Sequence, residues 1–171
     1  MVLPKIRDPR FILIRRGGSL LDEDHRLLAL WAADCAEHVL GLFEASHPGD
    51  RRPRLAVDAA RAWARGEIRV TEAKVAAYHA NEAGRGLPDP EKYAAYAAGQ
   101  AGVVAHVAAH ELGAAAYAIR ATRAAAGIDG VEAARLRERD WQRERLPERI
   151  AALVLDDQRL RNDLCWSVFS D

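Results

Sequence analysis

The stretch Gln100–Arg120, Q-A-G-V-V-A-H-V-A-A-H-E-L-G-A-A-A-Y-A-I-R, decides how the rest of the chain is read. Between its polar ends only His106, His110 and Glu111 carry side chains that ionise readily near neutral pH. The segment is alanine-rich and free of proline, which favours a helix, and no side of that helix is suited to water. A helix that is apolar all round belongs inside. The reading that follows is all-α: a single-domain, multi-helix bundle around a buried, Ala-rich central helix, with two histidines and a carboxylate turned inward.

Toward the N-terminus, Asp89-Pro90-Glu91 has the cap, first-turn proline and acidic first turn of a helix start. One helix from Pro90 to Ala126 would run roughly 55 Å, longer than a small domain, so a bend or break is expected near Gly99 or Gly102. Gly84–Pro88 is the clearest loop in the chain. Before it, one helix follows Thr71 and another runs from Pro53 to about Glu67. The first helix extends from a capping-box-like Ser19/Asp22 pair to about Ala45, with a stripe of Leu28, Trp31, Cys35, Val39 and Leu42. Residues 1–18, broken by Pro4, Pro9 and Gly17-Gly18, form an arm, and Phe11–Ile14 is a short strand or an apolar plug. Residues 19–171 form the helical domain.

Toward the C-terminus, Gly127 and Asp129-Gly130 make a turn. Residues 131–145 alternate basic and acidic side chains, the pattern of a surface helix docked through Leu136, Trp141 and Leu146. Pro147 opens a helix to about Leu155, and Asp156 or Asp157 caps a last one carrying Leu160, Leu164, Cys165 and Val168.

The 171 residues are half apolar, but much of that is alanine, so tight helix packing anchored by Trp31, Trp63, Trp141 and Trp166 is expected. Net charge is zero, which gives no bias toward nucleic acid or an anionic membrane. The charge is segregated, however: basic through residue 18, acidic from Ser19 to Asp50, then basic again to Arg69. Cys35 and Cys165 fall within apolar helical patterns, and no leader-like apolar run opens the chain, so reduced buried thiols and a cytoplasmic location are expected.

His106 and His110 stand four residues apart, which on one helix face suits chelation of Zn or Ni. His38, His79 or Asp34 would have to complete the site from another helix. The spacing is similar to that of DinB-like four-helix bundles, and it raises the alternative of a metal-binding bundle with an enzymatic or sensing role. No other cofactor is implied. Glu111, on an apolar face, needs a buried Arg, Tyr or His partner. Asp34 and His38, one turn apart at the edge of the first helix's buried face, read either as a carboxylate orienting an imidazole or as a half-exposed helix pair. Phosphate-loop patterns are absent, and no Ser/His/Asp order can be assembled.

Three stretches together point to a family: Arg16–Leu40 (R-G-G-S-L-L-D-E-D-H-R-L-L-A-L-W-A-A-D-C-A-E-H-V-L), Gly99–Ala118, and Leu146–Phe169 (L-P-E-R-I-A-A-L-V-L-D-D-Q-R-L-R-N-D-L-C-W-S-V-F). They make the chain similar to Imm-5-like immunity proteins of bacterial polymorphic toxin systems. The resemblance implies an all-helical cytoplasmic protein that neutralises a cognate protein toxin by occlusion, without catalysis and without direct nucleic-acid or membrane contact. No functional residue carries over from the family. If the toxin is a nuclease its substrate site is basic, so an acidic surface is the expected counterpart: Asp22, Glu23, Asp24, Glu37 and Glu44, with Asp156 and Asp157. Ala-rich helix faces also favour a homodimer.

Overall fold

The computed structural model describes residues 3–171, which form seven α-helices joined by short turns. These are α1 (Asp22–Glu44), α2 (Arg52–Ala64), α3 (Val70–Gly84), α4 (Glu91–Val104), α5 (Glu111–Ala125), α6 (Val131–Glu144) and α7 (Glu148–Arg161). Among the described residues the only β-type pairing is an isolated bridge between Leu13 and Leu20. The all-α bundle is therefore the observed architecture. No helix of the described residues is long and apolar enough to cross a membrane.

The expected central helix is two helices. α4 stops at Val104, Val107 takes an extended conformation, and α5 begins only at Glu111. The break falls neither at Gly99 nor at Gly102, but in a Val-Val-Ala-His-Val run whose β-branched residues resist helical crowding. Folding back lets both alanine-rich halves bury against each other, which a straight rod could not do inside so small a domain. The hairpin is antiparallel: Gly113 meets Gln100, Tyr117 meets Tyr96 and Arg120 meets Tyr93. α4 is the true centre, packed by α1, α2, α3 and α5.

Small residues set these approaches. A Cβ on Gly102 would lie 2.9 Å from the Ala77 Cβ and 3.3 Å from the Ala73 carbonyl oxygen of α3. Gly102→Leu should therefore force α3 and α4 apart and lower stability by about 1–3 kcal/mol. Gly41 in α1 has nothing within 4 Å of such a Cβ. Gly41→Ala should instead stabilise by about 0.5–1 kcal/mol. Urea melts of the two variants beside the parent test the pair, and equal effects would contradict the packing argument.

α6 departs most from expectation. Its charged pattern reads as a solvated face, yet Arg135, Glu138, Arg139 and Gln142 are buried, while Leu136, Trp141 and Leu146 are only half-buried. The interior it meets is polar. Arg135 donates to the Val168 and Ser170 carbonyls at 2.9 and 2.6 Å, Arg139 to Ser170, and Arg143 to the Phe169 carbonyl at 2.9 Å. Three arginines spaced by four residues thus hold the C-terminal segment, whose carbonyls no helix satisfies.

Other boundaries moved. Ser19 does not cap α1, which starts after Leu21 without a side-chain cap. Asp156 and Asp157 lie within α7 and cap nothing. Of the four tryptophans only Trp31 is core, its indole N–H donating to the Gln142 carbonyl at 2.9 Å. The arm is a plug, with Phe11 and Leu13 buried against the bundle. Cys35 and Cys165 are buried free thiols, as expected, and burial pushes Cys165 up to about 12.

Candidate functional site

The four histidines weighed as metal ligands are not brought together. His106 sits exposed at the break between α4 and α5, so it no longer shares a helix face with His110. The His110 imidazole Nδ1 lies 2.7 Å from the Gln100 carbonyl oxygen Oε1, His79 pairs with Glu82 on α3, and His38 pairs with Glu138 on α6. Among the described residues no group of three or more His, Cys, Asp or Glu side chains is placed to hold a metal ion. The i,i+4 argument fails because it needed a continuous helix.

Glu111, fully buried at the start of α5, finds the partner its position required. Arg161 Nη2 lies 3.0 Å from its Oε1. The same guanidinium donates through Nε to Asp157 at 2.7 Å and through Nη1 to the Ala109 carbonyl at 2.9 Å, and it lies over the Phe11 ring. Arg161 therefore ties α5, α7, the turn before α5 and the arm at one point. Asp157 is only 2% exposed, so it belongs to this network and not to an acidic surface. Burial, with the neighbouring Asp157 carboxylate, raises Glu111 well above the usual carboxylate range, while Arg161 opposes the shift.

Its neighbour His110 carries a pH signature. Burial, then the Arg161 charge, pushes its pKa down to about 4. An unfolded histidine takes up its proton near 6.5, so between those values the unfolded chain binds more protons than the folded one. The stability tied to His110 is full above about pH 6.5 and is lost as pH falls to about 4, by roughly 3 kcal/mol at most. Subtracting the urea stability of His110→Gln from that of the parent at each pH isolates this contribution. A flat difference would contradict the assignment.

The exposed constellation lies across α1 and α6. Asp34, Glu37 and His38 share one face of α1, and facing them are Glu138 and Trp141 of α6 with Arg145 at that helix's C-terminal cap. The His38 and Trp141 rings stack at 3.6 Å, only 3° from parallel, and the Arg145 guanidinium lies 4.0 Å from the Trp141 ring centre. Beneath them the Glu138 side chain, 2% exposed, accepts from His38 Nδ1 at 2.8 Å and from Gln142 Nε2 at 2.9 Å. Asp34 and His38, read as a pair from sequence, turn to different partners: Asp34 takes Arg61 of α2 at 2.7 Å. Two depressions flank the stack, one of about 510 Å³ bounded by Val39, Leu42, Ala125 and Glu138, the other of about 440 Å³ bounded by Asp34, Glu37 and Arg145.

The acidic edge expected to face a partner is engaged within the chain. Asp22 pairs with Arg15, Glu23 and Asp24 with Arg149, Glu37 with Arg54 and Arg61, Glu44 with Arg54, and Asp156 with Arg10 and Arg159. The Arg61 hydrogen bond holds Glu37 below the usual carboxylate range.

The family model described as Imm-5 like putative immunity protein matches residues 18–149, more than three-quarters of the chain. The chain belongs to that family. No curated protein and no solved structure matches it. The Imm-5-like span covers α1 through α6 and so contains the whole His38–Glu138–Trp141–Arg145 constellation. It ends before Asp157 and Arg161.

Sequence reasoning singled out Asp34, Glu37 and His38 but missed Glu138, the α6 partner of His38, and the Arg145–Trp141 stack beside it; Asp34 and Glu37 pair with α2 instead. Glu138, Trp141 and Arg145 at spacings of three and four residues were a legible one-face signal, hidden by the density of charge around them. A second aromatic cluster was also missed. Arg120 lies 4.1 Å from the centres of both the Tyr93 and Trp166 rings, and Trp166 and Ser167 hold φ values of +58° and +54° there. The Asn162 carbonyl, accepting from Ser167 N at 2.8 Å, and its side-chain oxygen, accepting from Phe169 N at 3.0 Å, secure that left-handed turn.

Proposed function

We propose that this Imm-5-like protein neutralises a protein toxin in the cytoplasm of its producer by binding and occluding it, without catalysis. The observation that carries the reading is the His38–Trp141–Arg145 stack on the shared face of α1 and α6. Tryptophan and arginine dominate the energetics of protein interfaces, above all when a central anchor is flanked by depressions and ringed by polar groups. Here the stack holds the Trp141 ring in place before any partner arrives, which reduces the ordering cost of binding. Glu138, buried beneath it, fixes the His38 ring in turn.

The acids Asp22, Glu23, Asp24, Glu37, Glu44 and Asp156 serve as rim charges in this account. Already paired with arginines of the same chain, they steer a basic partner and influence the association rate more than the final affinity. Co-expression with the toxin encoded beside the gene tests the function. Growth rescue by the parent chain supports the reading, and toxicity undiminished by well-folded, abundant protein overturns it.

A further inference from the structure

The α1–α6 groove holds a buried carboxylate that, among the described residues, has no arginine or lysine against it. Glu138 lines it, almost wholly buried, and its only ion-pair partner among the described residues is His38. Arg137 stands exposed on the same groove and makes no ion pair with it. Every other carboxylate buried as deeply, Glu111 and Asp157, has the Arg161 guanidinium against it. A carboxylate offers about four lone-pair sites. His38 uses one on Oε2 and Gln142 one on Oε1, which leaves one on each oxygen, the pattern a guanidinium fork satisfies. The groove walls above it, Val39, Leu42, Ala125 and Ala126, are aliphatic and suit the stem of a long side chain.

We infer that this groove receives an arginine side chain of the bound protein, its stem along Leu42 and Ala125 and its guanidinium on Glu138. The inference rests on the binding reading above, since it names what the partner inserts beside Trp141. A basic protein surface is thereby selected by a built acceptor, and the rim acids only guide it there. A neutral side chain of the same shape would leave Glu138 uncompensated in a drier environment than before.

The groove can be tested without any toxin, so its failure and the failure of the immunity reading are separate results. The probe is n-butylguanidinium, with its neutral isostere n-butylurea, titrated into labelled protein while the Trp141 indole N–H resonance is followed. The expected result is saturable movement with n-butylguanidinium and binding of n-butylurea weaker by at least about tenfold. Glu138→Gln should remove that preference, whereas Glu144→Gln on the exposed side of α6 should keep it. Arg137→Glu, an exposed change, should tighten n-butylguanidinium by a few-fold and keeps the test decisive should Glu138→Gln not fold. Equal binding of the two probes, a preference unchanged in Glu138→Gln, or no tightening in Arg137→Glu would overturn the inference.

Discussion

Arg161→Met should lower the unfolding free energy by about 3–5 kcal/mol, as much as truncating a large core side chain. The change leaves Glu111 and Asp157 buried with no guanidinium between them and strips the Ala109 carbonyl of its donor. Two carboxylates in an apolar interior cannot both stay ionised, so at least one must take up a proton at neutral pH. The partner change separates charge from packing. Arg161→Met with Glu111→Gln and Asp157→Asn removes the charges together and should recover much of the loss, because removing a buried network whole costs far less than breaking it. Urea denaturation of the two variants, with unchanged m-values, is the measurement. A triple variant no more stable than Arg161→Met would show that the network acts through shape and not charge.

The second large effect is on binding. Trp141→Ala should weaken the complex with the cognate toxin by at least about 2 kcal/mol, roughly thirtyfold in Kd, while leaving the fold intact. The ring is half-buried and is held by His38 and Arg145, not by the core, so its removal costs little stability. Asp22→Asn, Glu23→Gln and Asp24→Asn together should change the association rate and its salt dependence with only a small effect on dissociation. A reversed outcome, with the triple acid variant abolishing binding and Trp141→Ala neutral, would move the interface to the start of α1.

The fold class was legible because alanine, proline and glycine placement constrain helices strongly. Pro53 and Pro90 fell within a residue or two of helix starts, and the Gly84–Pro88 loop ends α3. The hairpin break was not legible. No proline or glycine marks Ala105–Val107, and the choice between a rod and a hairpin is made by tertiary burial, which local propensity does not record. That single misreading produced the His106/His110 metal site, since i,i+4 geometry holds only within one helix. The requirement that Glu111 have a partner followed from physics alone, and the partner's identity did not, because Arg161 lies fifty residues away in sequence. α6 was misread for a related reason. Charge alternation says nothing of what a helix meets, and here it meets the carbonyls of Val168, Phe169 and Ser170. Asp157 looked like half of an acidic surface pair, yet it and Asp156 are helix neighbours that project about 100° apart: Asp156 pairs with Arg10 and Arg159 in the half-exposed zone, Asp157 with Arg161 inside.

The central claim is that this chain acts by binding a toxin through the face where α1 meets α6. Isothermal titration of the purified protein into the proposed toxin partner, in an inactivated form, tests that claim most directly. The account predicts a saturable complex whose affinity falls by about thirtyfold in Trp141→Ala and hardly at all in Gly41→Ala. No heat of binding from a folded protein, or a complex indifferent to Trp141→Ala, would contradict it.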